Sequence, residues 1–414
     1  MIFKTKTMVA ACALIASAGV AWADADAGCG IESGSVRILS NDFAALQVIG
    51  EAAETCATDT VEVSRNQTEE HRNIQVAALT ADPATYTVAI VATSSIVPLL
   101  NDDLIRPLDD LVAEYGAQLQ ESQLIRVDGK IMAVAFMANA QHLFYREDIL
   151  AENGIEVPTT YAEMFAAAET LRANGVMESP LSSNYMPGWN VAAEFVNTYL
   201  GTGADFFVPG TAELAIDNAD GMAVLAAMKQ MTDYMSADWA TYDSNAQKPV
   251  WEAGEVALSI TWGSRAGGYI ADDNPAPEIA AVTQFAAAPT VGDVPGAALW
   301  WDGFTIAKNI SDEDAEASFR AMMVGISPEM MQANRDAAVW LIEGYEPSRA
   351  ASGVIADLQG GARPYPMLPY MGLLHTALGD NLVEYLQGSE SAEQAIADIT
   401  AAYTAAATEA GFLN

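Results

Sequence analysis

The apolar positions along this chain switch repeatedly between strand and helix spacing. VRILS (36–40) reads as a strand, and residues 43–57 as a helix running back along it. DTVEVSR (59–65) is a second strand with Val61 and Val63 on one face, followed by a polar helix from about Thr68 to Leu79. TYTVAIVA (85–92) is a continuous apolar run, as expected of a strand buried on both faces. This β-α-β-α-β order predicts a parallel sheet with right-handed crossovers. Asp128-Gly129 lies between two apolar strands and marks a hairpin.

The pattern restarts after residue 140. HLFY (142–145) is strand-like, and Thr160-x-x-Glu163 is a capping box ahead of Met164, Phe165, Ala168 and Leu171 at helical spacing. A helical region covers 219–236, and EVALSITW (255–262) and FTIA (304–307) are strands. Helices open at Ser311-x-x-Asp314, with Phe319, Met322 and Met323 inward, and at Ser391-x-x-Gln394, with Ile396, Ile399 and Tyr403 inward. Trp239, Trp251 and Trp340 fall in helical patterns and read as core. There is no internal repeat and no low-complexity linker.

A chain of 414 residues, 51% hydrophobic, exceeds what one core usually holds, so two domains are expected. Lys4 and Lys6, the apolar stretch 8–21 and Ala21-Trp22-Ala23 read as a secretory leader, residues 1–23, cleaved near Ala23. The 14-residue stretch is too short to span a bilayer, and no other segment is long and apolar enough. Asp26-Ala27-Gly28-Cys29 resembles a lipobox, but Asp26 stands where that motif takes an aliphatic residue, which favours free secretion. Export implies an oxidising compartment, and Cys29 and Cys56 then form the single available pair. The strand-helix geometry brings them close. His71, His142 and His375 are not spaced as metal ligands, and no cofactor is called for. The 18 basic residues less Lys4 and Lys6 leave 16 against 55 acidic, a formal −39, which argues against nucleic acid and anionic membranes as partners.

Several stretches resemble the sugar-binding solute-binding proteins of ABC importers, the group that includes maltose-binding protein. Phe144–Leu150, Asn153-Gly154-Ile155 and Pro158-Thr159-Thr160-Tyr161-x-Glu163 follow that family's pattern, with Tyr161 where a Trp is usual. Val127–Ile131 resembles its hairpin, with Ala135 replacing a proline; Trp251–Leu258 and Pro347-Ser348-Arg349 match two more segments. Thr85–Val88 departs from it by lacking an Asp before the third strand. The resemblance implies a two-lobe α/β fold of the periplasmic-binding-protein kind, type II, with crossings near Asn139, Trp301 and Tyr345. Residues 24–140 and 301–345 would form one lobe, 141–300 and 346–414 the other. It further implies a monomer in the periplasm that closes on a carbohydrate by hinge motion and is recognised by a membrane permease.

"WWDG" (300–303) would then lie at a crossing on the cleft floor. A Trp300 or Trp301 indole would stack on a sugar, Asp302 would accept from hydroxyls, and Gly303 would allow close backbone approach. Matched position adds Asn41 and Asp42 after the first strand, where Asp42 could equally cap the helix at 43. Thr93 and Ser94 follow the third strand, with capping as their alternative role; Asn139 lies at the first crossing. Tyr185 and Trp189 flank a Pro-Gly loop, Trp262 and Arg265 a strand end. Arg349, a scarce cation, and Tyr370, opening a helix, complete the set. The alternatives are a binding protein for an organic acid, amine or peptide, or a glycoside hydrolase using two carboxylates; neither a Gly-x-Ser-x-Gly elbow nor His-Glu-x-x-His is present.

Overall fold

The computed structural model describes residues 29–414; residues 1–23, expected to be a secretory leader, lie outside them. Twelve strands form two sheets: β1 Gly34–Ser40, β2 Val61–Gln67, β3 Val88–Ala92, β4 Leu124–Val127, β5 Lys130–Asn139, β6 Gln141–Arg146, β7 Leu181–Ser182, β8 Leu258–Trp262, β9 Thr283–Ala286, β10 Ala298–Ile306, β11 Val339–Trp340 and β12 Arg363–Pro364. The first sheet has the order β11-β5-β10-β3-β1-β2, with β4 paired to β5 and β12 to one end of β10. The second has the order β7-β8-β6-β9. The β5 strand ends and β6 begins across the single residue Ala140, so the chain leaves the first sheet and enters the second almost without a loop.

The expected parallel core is present in β2-β1-β3. The sheet as a whole is mixed, because β10 returns from the second half of the chain and inserts antiparallel between β3 and β5. The apolar run of β3 is buried throughout because both faces are covered. Val88 and Ile90 join the core of Leu46, Ile49, Phe304 and Phe319, while Ala89 and Val91 face Leu79, Ile96 and Leu99. The second sheet packs into a larger core that includes Leu143, Met164, Phe195, Leu225, Ile399 and Tyr403.

Local signals explain the element ends. Asp128 and Gly129 both have positive φ, 50° and 78°, the requirement of the tight turn joining β4 to β5. Thr160 caps the helix Tyr161–Ala173 by accepting from Glu163 N–H at 3.1 Å, and Glu163 accepts from Thr160 N–H at 3.2 Å. Ser311 and Ser391 cap the helices Asp312–Gly325 and Ala392–Glu409 by accepting from the N–H groups of Asp314 and Gln394. Two expectations shift. Trp340 is buried as core, yet it lies in the short strand β11, paired with Met137 of β5, and Trp239 lies in a 3₁₀ turn; only Trp251 is on an α-helix. The strand expected at 304–307 starts six residues earlier and contains WWDG whole. Cys29 and Cys56 are disulfide-bonded, joining the segment before β1 to the end of the helix Ala44–Glu54. No described helix is long and apolar enough to cross a membrane.

Candidate functional site

Strand pleating explains the doubled tryptophan. Trp300 and Asp302 are two apart on β10 and share a face; Trp301 takes the other. Trp301 packs on the first-sheet side, whereas Trp300 is buried in the core of the second sheet. The strand thus stitches the two bodies together, one indole to each. A bulge lies between Asp302 and Gly303, where β10 and β5 lose register; bulges re-aim side chains. Gly303 allows a close approach, but to strand β5 itself: a Cβ there would sit 2.5 Å from Val134 O and 2.9 Å from Ala135 Cα.

Trp300 and Asp302 open onto a cavity of about 70 Å³ between the two bodies. From the first-sheet side come Asn41 and Phe43, after β1, and Arg72, on the helix His71–Thr80. From the other side come Trp189, Trp262 and Arg265. Gly188, at φ 86°, lets the loop turn so that Trp189 opens the helix Trp189–Leu200. Trp262 ends β8, and Arg265 closes the 3₁₀ turn behind it. Trp189 and Trp262 stack at 5.9 Å, and Trp300 meets both edge-on at 5.9 and 5.7 Å, giving three sides of an aromatic box.

The charged groups are held by aromatic faces more than by ion pairs. The Arg72 guanidinium lies 4.1 Å over Trp189 and that of Arg265 4.6 Å over Phe43, each reaching across to the opposite body. Glu69 and Asn245 hydrogen-bond across the same junction. Burial pushes the Asp302 carboxyl up from 3.8 to about 7, against the pull of Arg72 and Arg265. Both guanidiniums are lowered by burial, opposed in part by Asp302. Arg265 Nε and Trp300 Nε1 are buried with no partner among the described residues. Asn139 spends both ends of its amide on Ser264, accepting from its N–H at 3.0 Å and donating to its Oγ at 3.2 Å. It thereby anchors the turn that presents Arg265.

Seven of the fourteen candidate residues line this cavity: Asn41, Asn139, Trp189, Trp262, Arg265, Trp300 and Asp302; Thr93 follows Ala92 of the wall but is not part of it. Thr93 is buried, and its Oγ1 accepts from Trp301 N–H at 3.0 Å, which fixes β10. Ser94 lines a separate groove of about 600 Å³ next door, which shares Arg72 and Trp189. Trp301 faces away. Asp42 is exposed and accepts from Gln47 at 2.8 Å; it makes no cap to the helix at 44. Tyr185 is buried edge-on to Trp239, behind the box. Arg349 is exposed and donates to Ala280 O at 3.4 Å. Tyr370 donates to Thr211 O at 2.7 Å and packs on Phe207, away from the cavity.

Sequence reasoning missed Arg72, Phe43, Tyr365 and His375. Tyr365 lies 4.1 Å from Trp300, ring to ring. His375 stacks on Trp189 at 5.1 Å, and burial lowers it to about 4, so it is neutral near pH 7. Arg72 carried a usable signal: the scarcity of cations that singled out Arg349 applies to it equally.

The structure is thus a two-sheet α/β body with an aromatic and charged cavity between the sheets. Residues 37–323 match the family of bacterial extracellular solute-binding proteins, and the chain belongs to that family. A probable ABC transporter-binding protein of Deinococcus radiodurans is 25% identical over 165 residues, 38% of each chain, so this chain spans well under two thirds of that relative's length. Among solved structures, maltose-bound MalE3 of T. maritima superposes at TM-score 0.77 with 18% identity, over 90% of this chain and 99% of that one. A ribitol-bound ABC transporter solute-binding protein of Agrobacterium radiobacter K84 gives 0.77 and 18%, over 90% and 98%. A mannitol-bound counterpart from Agrobacterium vitis S4 gives 0.77 and 17%, over 92% and 100%. At these identities the likeness is one of fold.

Proposed function

We propose that this protein is the periplasmic capture component of an ABC importer, taking a sugar, sugar alcohol or short oligosaccharide between two lobes and passing it to a membrane permease as a monomer. The lobes would be residues 24–140 with 301–345, and 141–300 with 346–414. The observation that carries the reading is the box of Trp189, Trp262 and Trp300 with Asp302 on its floor. Indoles cover the CH faces of a sugar, and a carboxylate accepts from its hydroxyls. Sugar- and polyol-bound proteins of the same fold support it.

The cavity of about 70 Å³ has room for only a couple of waters, at roughly 30 Å³ each. A sugar therefore enters with the lobes parted, and the Arg72–Trp189 and Arg265–Phe43 contacts must open. Asp302 is the one carboxylate in the cavity wall, whereas glycoside hydrolysis uses a facing pair; the reading is capture without chemistry.

A melting-shift screen over sugars, polyols, amines and organic acids tests it. Sugars or polyols should raise the melting temperature and be recovered unchanged, and Trp262→Ala and Asp302→Ala should abolish the shift. Shifts with amines alone, or release of a cleaved product, would overturn the reading.

A further inference from the structure

The cavity wall is rich in donors and short of acceptors. Arg72 makes no hydrogen bond or salt bridge within 4 Å to any described residue, and Arg265 makes none beyond a 3.5 Å contact to the neighbouring Ser264 Oγ. Each guanidinium lies flat on an aromatic ring, an arrangement that occupies its face and leaves the N–H fork at its edge free. Trp300 Nε1 is a further buried, unpartnered donor. Against two fixed positive charges the wall supplies one carboxylate, Asp302. The nearby acids of the rim are committed elsewhere. Glu69 accepts from Asn245, and Asp243 accepts the backbone N–H groups of Asn245 and Ala246.

That surplus is unusual in this chain, which carries 55 acidic and 18 basic residues. Cations are scarce, acids are abundant, and yet two arginines converge on one cavity with a single acid between them. Arg265 Nε and Trp300 Nε1 are the donors buried here without a partner among the described residues, and leaving such donors short of acceptors costs stability, so the arrangement answers to something the cavity receives. The missing group has to accept without donating and carry one negative charge. A carboxylate does both, and it meets the guanidinium fork bidentately. A hydroxyl brings no charge to set against the two guanidiniums.

From this we infer that the ligand is an acidic sugar, a uronate or an aldonate, whose carboxylate is held between Arg72 and Arg265 while its hydroxylated carbons lie against the tryptophan box and Asp302. The inference rests on the sugar-capture reading above and narrows its ligand class. Because the two arginines come from opposite lobes, the carboxylate would also be the group that draws the lobes together.

Isothermal titration of the mature protein with matched pairs tests it: D-galacturonate against D-galactose, D-gluconate against D-glucitol, with succinate as a carboxylate lacking hydroxyls. The expected result is that one acidic member binds roughly 10- to 100-fold tighter than its neutral partner, the range of a charge-assisted contact. The preferred pair tells ring from open chain. Arg265→Gln and Arg72→Gln should each erase that preference while the melting temperature without ligand stays near the parent's, and Arg265→Lys should restore part of it. Neutral members binding as tightly as the acids would overturn the inference and leave sugar capture standing. Succinate binding as tightly as the sugar acids would overturn both, and no binding in any arm would overturn the inference while the melting-shift screen decides sugar capture.

Discussion

The arginines of the cleft and those of the periphery are the same side chain in opposite conditions. Peripheral Arg106 donates to three backbone carbonyls, Ala307, Lys308 and Ile310, at 2.9 to 3.2 Å and pairs with Asp312. Arg146 makes a two-pronged pair with Asp148 at 2.9 and 2.7 Å. Arg72 and Arg265 touch aromatic faces and little else. A saturated arginine ties the fold together; an unsaturated one in a cavity is, on the proposal above, held for a guest. Polar satisfaction therefore separates structural charge from binding charge more sharply than exposure does, since all four are partly buried.

The contrast can be broken from either side. The largest effect on the fold, with none on the cleft, should come from Cys56→Ser. The bridge spans a sequence separation of 27, and a loop of that size contributes about 3–4 kcal/mol by chain entropy; urea unfolding should show that loss with ligand affinity unchanged. Gly303→Ala should disturb both regions. Its new methyl meets Val134 O, so overpacking of about 1–3 kcal/mol is expected, along with weakened binding as Asp302 is displaced. Arg106→Gln leaves carbonyls unpaired and should cost about 1–3 kcal/mol in the same denaturation assay without altering affinity. Arg72→Gln should do the reverse: a stability change within about 1 kcal/mol, since a modest cation–π contact is offset by relief of a partly buried charge, with the preference for the acidic sugar lost.

The smallest effect is one of slope. Burial raises the Asp302 carboxyl from 3.8 to about 7 in the folded chain. Between those values the folded state holds a proton that the unfolded state has released. Asp302 therefore contributes a loss of stability that builds as pH rises through that window and is complete above it. Without ligand, the difference in stability between Asp302→Asn and the parent should grow from about pH 4 to about pH 7 in favour of the variant. A difference that is flat in pH would mean that the carboxyl is solvated.

Much of the architecture was legible because its signals are local. Thr160-x-x-Glu163, Ser311 and Ser391 announced their helices, and Asp128-Gly129 its turn, since caps and turns are settled within four residues. The candidate site was legible in part. Trp189, Trp262, Trp300 and Asp302 stood out as aromatics and acid beside glycines and strand ends. Tyr370 and Arg349 had the same outward marks and lie elsewhere, because a strand end or helix start says nothing of which way the element faces. Arg72 was passed over inside a helix that looked merely polar.

The linear order of residues, by itself, determined the α/β alternation, the two-body plan, the Cys29–Cys56 link and membership of a solute-binding family. Each follows from spacing, composition or motif order. Which tryptophan of the pair meets the cavity, and that Arg72, Arg265 and Asp302 gather in it, was decided only in three dimensions. The return of β10 between β3 and β5, with a bulge at Asp302, sets those directions. A register is the outcome of two distant strands packing together, and no local pattern encodes it.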